Sequence, residues 1–145
     1  MVVNAVTDDA LGNDDAVGLA QRLGRGEVSA SELREAAIAR AQKVNGELNA
    51  IVCEVAAPPA SVDGPFAGIP SLLKDNEDLA GYPTLHGSWA PAGQPAQANS
   101  PWVEQYLALG FAPIAKTTLP EFGLTASTES SRFGATRNPW NTGHS

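Results

Sequence analysis

Cysteine and positive charge are scarce in this sequence, and long apolar runs are missing. The one cysteine, Cys53, leaves no internal disulfide to form, and a single thiol cannot build a zinc site. Nine Lys and Arg stand against 16 Asp and Glu, for a formal charge of -7. The basic residues are spread as five in 1–45, one in 46–100 and three in 101–145, so no patch exists to neutralise phosphates or anionic lipid. Nucleic acid and membrane surfaces are therefore not expected partners. No run approaches the ~20 apolar residues of a membrane span. The start, MVVNAVTDDA, has neither a basic opening nor an apolar stretch, so no signal peptide is expected. These absences point to an acidic, soluble, cytoplasmic protein.

What is present suits a folded chain. The 145 residues are 43% hydrophobic and 17% charged, a balance that can build a core and is unlike that of disordered chains. The length allows one domain or part of a larger one. Of the 25 glycines and prolines, most lie beyond residue 57, so that half should be rich in constrained loops.

Residues 1–45 read as a helical pair. Asp14 or Asp15 can cap a first helix carrying Val17, Leu19, Ala20 and Leu23, which stops at Gly24-Arg25-Gly26. Ser29 and Glu32 form a capping box for a second, with Leu33, Ala37, Ala41 and Val44 on one face. Asn45-Gly46 is the expected end, because both residues tolerate a left-handed backbone. Residues 46–145 read as an α/β portion. Leu48–Val55 is a short apolar run read as a buried strand. Residues 56–66 hold Pro58-Pro59 and Asp63-Gly64-Pro65 and read as a loop. Gly68–Leu73 is a second strand and Phe111–Ala115 a third, the latter weakened by Pro113. Between them Ser100-Pro101 opens a helix, serine as N-cap and proline at its first position. Strand, helix, strand in that order implies a parallel pair. From Thr117 onward the pattern gives turns and short helical pieces.

Lys74 is the most informative residue. A lysine ending a strand is ordinarily solvated. This one, however, ends an apolar run at the place where α/β folds open their ligand crevices. Asp75, Glu77 and Asp78 follow it without a histidine cluster, so structural or solvated roles are expected for them. His86 and His144 lie 58 positions apart with no metal-ligand spacing, and read as hydrogen-bonded loop residues. Cys53 sits inside a strand run and reads as an inert thiol. Trp102 reads as helix packing and Trp140 as a turn anchor. Ser127, Thr128, Ser130 and Ser131 form a hydroxyl cluster from which no Ser-His-Asp arrangement can be read.

Four stretches taken together resemble the amidase signature family of serine hydrolases. Residues 64–76 (GPFAGIPSLLKDN) look like that family's first landmark and 81–88 (GYPTLHGS) like the stretch after it. Residues 116–123 (KTTLPEFG) and 133–141 (FGATRNPWN) are similar to the next two. Order and spacing both fit, over about residues 14–145. One departure is that the family usually has a helix before the first landmark, where residues 56–63 (AAPPASVD) leave no room for it.

The resemblance implies an α/β fold in which N-terminal helices pack on part of a mixed, mainly parallel sheet, with residues 1–145 forming the N-terminal part of a single amidase domain. It implies hydrolysis of carboxamide C–N bonds by a Ser–cis-Ser–Lys triad acting on a small amide substrate, with no cofactor and no metal. Onto this sequence only the catalytic lysine carries over, as Lys74. The two serines belong to a Gly-Ser-rich signature that in the family begins just after the position of Ser145. Asp75, Asn76, Gly123 and Asn138 would shape the site. A lysine that acts as base must be neutral, and from a reference pKa of ~10.4 that costs roughly 4.6 kcal/mol at pH 7. The buried site and hydroxyl partners of a complete enzyme supply it. Alone, the chain is expected to be inactive, with Lys74 solvated. It is then a non-catalytic truncated piece or one chain of a split enzyme, associating with a C-terminal complementary chain or with itself. A further alternative is the A subunit of a tRNA-dependent amidotransferase. That group usually has Asp-Glu-Phe-Ala-Met-Gly where this chain has Pro120–Thr125, which favours a plain amidase.

Overall fold

The computed structural model describes residues 1–56 and 63–145. Helix α1 spans Ala16–Gly24, capped by the Asp15 carboxylate, which accepts from Gly18 N at 2.9 Å. Helix α2 spans Ala30–Leu48 and starts at the expected capping box: Glu32 N donates to Ser29 Oγ, and Ser29 N donates back to Glu32 Oε2. It runs three residues beyond Asn45. The left-handed residue that ends it is Asn49, at φ 52° and ψ 52°. Asn45 instead closes the last turn, its side-chain oxygen accepting from Ala50 N and Ile51 N at 2.8 and 2.9 Å. That accounts for the strand β1, Ile51–Glu54, being shorter and starting later than the run from Leu48 suggests.

Strands β2 (Pro70–Lys74) and β3 (Ala112–Thr117) are parallel, joined through helix α3 (Pro101–Ala108). The sheet order is β1-β3-β2, with β1 antiparallel to β3, so the sheet is mixed. β3 is central, which is why Pro113 through Lys116 are all buried while β1 is only half-buried. The β2–β3 register shifts between Ser71 and Leu72. The irregularity falls where Ser71 faces Pro113, which has no N–H for the ladder. Helix α3 has the expected start: Val103 N donates to Ser100 Oγ, and Pro101 needs no partner for an N–H it lacks.

Two clusters form the core. Leu73, Leu79, Val55, Val103 and Leu107 join β2 to α3. Leu19, Leu33 and Ile69 join α1, α2 and the segment entering β2. Arg34 of α2 is tied to the sheet, donating to the carbonyls of Val55 and Ala56 at 2.5 and 3.1 Å. The chain entering β2 is zipped to the end of α3 by Phe66 N to Leu109 O and Gly68 N to Gly110 O. The backbones are so close there that a Cβ on Gly64 would stand 2.5 Å from Leu109 C, and one on Gly110 would stand 2.5 Å from Ala67 N.

Beyond β3 the expectation of turns and helical pieces needs correction. A 3₁₀ turn covers Glu121–Gly123, but β4 (Glu129–Ser130) and β5 (Gly134–Ala135) then form a small antiparallel hairpin. It is held from outside, by Asn49 Nδ2 donating to Phe133 O at 2.6 Å and to Ala135 O at 3.2 Å. Pro58-Pro59 and most of residues 56–63, where the sequence is expected to leave no room for the family's helix, lie outside the described residues. Among the described residues no helix is long and apolar enough to cross a membrane.

Candidate active site

The carboxyl ends of β2 and β3 lie side by side, and the four landmark stretches converge there. Lys74 is the last residue of β2 and is exposed. Its ammonium has no hydrogen-bond or ion-pair partner among the described residues. Leu73 before it and Asp75 after it are both fully buried, as strand alternation requires of a residue facing the other way.

Asp75 is neither solvated nor free. It is 0% exposed and paired with Lys116, also 0% exposed, Oδ1 standing 2.9 Å from Nζ. The contact is ionic, since Oδ1 receives no aligned hydrogen bond. The ammonium of Lys116 also donates to Pro83 O at 2.6 Å and to Thr84 Oγ1 at 2.8 Å, which uses two of its three protons. Asp75 Oδ2 accepts from Leu85 N at 3.2 Å. The main chain adds Asp75 N to Thr117 O at 3.0 Å and His86 N to Asp75 O at 3.1 Å. One buried pair thus locks the end of β2, the end of β3 and the 83–86 loop to one another. Glu77 is structural as well, accepting from Ser100 Oγ at 2.8 Å, whereas Asp78 is exposed.

The remaining landmarks are attached by polar contacts. Phe122 N donates to His86 O at 2.8 Å, and the two rings stack with centroids 5.5 Å apart. Arg132 Nη1 donates to Ser88 O, with its guanidinium 4.6 Å from the centre of the Trp89 ring. Thr118 and Thr136 share a 2.7 Å hydroxyl contact, and Thr136 Oγ1 donates to Asn49 O.

Other candidates fall outside this centre. Cys53 is half-buried, and burial pushes its thiol pKa up, which keeps it a poor nucleophile. Trp102 does pack on α3, stacked on Tyr106 at 4.8 Å, although half its surface is exposed. In the hydroxyl cluster, Ser130 Oγ accepts from Phe133 N at 3.0 Å, a loop role as expected. Trp140 is exposed, and its main-chain N–H closes a turn on Asn138 Oδ1. Among the described residues no group of three or more His, Cys, Asp or Glu is placed to hold a metal ion.

Sequence reasoning misses the role of Lys116. It ends the third strand at Ala115, because a charge reads as the start of solvent. The signal that could have found it is the charge pair itself: one acid and one base, each at the carboxyl end of a strand, in strands expected to be parallel neighbours.

Comparison with known proteins agrees with this geometry. The Amidase family model matches residues 32–145. A protein of Mycobacterium tuberculosis named "Putative amidase AmiC" is 42% identical over 97% of this chain, which spans 31% of that protein. A solved structure of a 6-aminohexanoate cyclic dimer hydrolase complexed with substrate superposes with a TM-score of 0.78 at 37% identity, over 90% of this chain and 28% of the other. The A subunit of the glutamyl-tRNA(Gln) amidotransferase of Synechococcus sp. is 36% identical over 86% of this chain and 28% of its own length. The chain belongs to the Amidase family, and it spans less than a third of the length of these relatives.

Proposed function

We propose that residues 1–145 form the N-terminal part of an amide-hydrolysing domain and contribute the lysine of a Ser–cis-Ser–Lys relay. The chain has three lysines. Lys43 lies on the exposed side of α2, and Lys116 is consumed in a buried pair. Lys74 alone stands exposed and unpartnered, among the described residues, at the strand ends where α/β folds bind ligands. That is the observation that carries the reading. In the reaction a serine outside these 145 residues attacks the amide carbonyl. Its proton passes through the cis-serine to Lys74 Nζ and returns to the departing amine, and water then hydrolyses the acyl-enzyme.

The residues around Pro120–Thr125 lack the Asp-Glu-Phe-Ala-Met-Gly pattern of the amidotransferase A subunits, which favours a plain amidase. The test is amide hydrolysis by this chain alone and by the chain supplied with the C-terminal two-thirds found in its relatives. Turnover is expected only in the second case, and Lys74→Ala should abolish most of it. Turnover that survives Lys74→Ala, or lysine-dependent turnover by the 145 residues alone, would overturn the reading.

A further inference from the structure

His86 and Phe122 are the two non-glycine residues with left-handed backbone that do not end an α-helix, among those described: φ is 51° at His86 and 50° at Phe122, whereas Asn49 closes α2. Residues held this way cost free energy, and they persist where the surrounding structure over-determines them, most often at binding and catalytic sites. Here the two hold each other. Phe122 N donates to His86 O at 2.8 Å, and the imidazole and phenyl rings stack 5.5 Å apart with 16° between their planes. His86 is also fixed to the strand end, its N–H donating to Asp75 O one residue beyond Lys74. Gly87 keeps the two loops pressed together, since a Cβ there would stand 2.8 Å from Leu119 O.

These contacts fix an aromatic pair to the main chain of the residue that follows the candidate lysine. One face of Phe122 is covered by His86, yet the residue is 49% exposed. The ring nitrogens of His86 have no hydrogen-bond partner among the described residues. Resting on the amide-hydrolase reading above, we propose that His86 and Phe122 are specificity-determining residues of that site. They form a rigid wall that favours amides carrying a flat aromatic or conjugated group next to the amide, stacked on the free face of Phe122. Rigid aromatic surface at low entropy cost is the means by which such walls select flat groups, through offset stacking worth more than the area alone.

The probe is benzamide, with acetamide as the control, titrated into the 145-residue chain. The readout is the NMR shifts of the His86 Hε1 and Phe122 ring protons. Benzamide should move both sets and acetamide neither. Phe122→Gly should remain folded, because glycine adopts φ 50° without strain, and should weaken benzamide binding by about three- to tenfold. In the protein supplied with the rest of the domain, the same variant should lower the ratio of kcat/KM for benzamide over acetamide by a similar factor. Benzamide shifts confined to other residues, no shift at all, or an unchanged affinity in a folded Phe122→Gly chain would each overturn the proposal. Failure of the lysine reading shows separately, as turnover that survives Lys74→Ala, and leaves the NMR result standing.

Discussion

Replacing Asp75 by Asn should be far more damaging than its small change in shape suggests. The side chain keeps its size, and its oxygen can still accept from Leu85 N. What disappears is the charge that faces the wholly buried ammonium of Lys116 at 2.9 Å. A buried pair broken from one side costs about 3–5 kcal/mol, because the remaining charge has neither water nor partner. Lys116→Met, which strands the carboxylate instead, should cost a similar amount. The double variant removes both charges and fills the space with a thioether. It leaves Pro83 O and Thr84 Oγ1 without their donor, at about 1–3 kcal/mol. The double variant should therefore be no worse than either single one, with a coupling of several kcal/mol between the sites. For a chain of this size each single substitution should lower Tm by about 10–20 °C. Urea unfolding followed by tryptophan fluorescence, with the four chains compared, measures the cycle. Singles costing under about 1 kcal/mol, or a double equal to the sum of the singles, would show that the pair is hydrated and that it does not lock the strand ends.

Three further outcomes follow from the same contacts. Gly110→Ala should destabilise by about 3 kcal/mol or more in the same unfolding assay, since φ is 96° and the new Cβ would meet Ala67 N at 2.5 Å, main chain that cannot yield. Ser100→Ala removes both the cap on Val103 N and the donor to Glu77, and should cost about 1 kcal/mol, with Ser100→Asp restoring the cap but repelling Glu77. Arg40 donates to both carboxylate oxygens of Asp9, at 2.7 and 2.6 Å, and this hydrogen bonding holds the Asp9 carboxyl well below the usual range. A lowered folded-state pKa means that the stabilisation is complete above the ordinary aspartate value of about 3.9 and is lost as pH falls below it. Thermal unfolding from pH 6 down to pH 2 should therefore show an acid loss that Asp9→Asn makes shallower.

The parts of the fold legible in the sequence are those specified by neighbours along the chain. Ser29 with Glu32, and Ser100 with Pro101, announce helix starts by chemistry confined to one turn, and both starts are where that chemistry puts them. The parallel β2–β3 pair follows from the helix between the strands. The errors arise where a distant contact decides. Asn45-Gly46 looks like a helix end locally, yet Asn49 takes the left-handed position, with its side chain drawn to the Phe133 and Ala135 carbonyls more than 80 residues away. The β4–β5 hairpin has two residues on each side, too few for any alternation to register, and it is positioned by that same asparagine. At the candidate site Lys74 can be singled out by its place at a strand end, but the burial of Asp75 cannot. It depends on Lys116, 41 positions on, arriving opposite Leu73 in the sheet register.

That pairing bears on the lysine chemistry. Two lysines end adjacent strands, and one buried carboxylate lies between them in the fold. A carboxylate facing a buried ammonium compensates its charge, which suits a structural cation. By pairing Asp75 with Lys116, which also donates to Pro83 and Thr84, the fold commits the only fully buried acid among the described residues to Lys116 and not to the lysine proposed above as the base. Lys74 is left without an ion-pair partner among those residues. In water this changes little, since an exposed ammonium is well solvated. Under the proposal above, the pairing of Lys116 with Asp75 is what keeps this carboxylate away from Lys74. The Asp75→Asn and Lys116→Met variants should thus damage a completed enzyme through the shape of the 83–86 loop, whereas a carboxylate introduced beside Lys74 should damage it through charge, with stability intact.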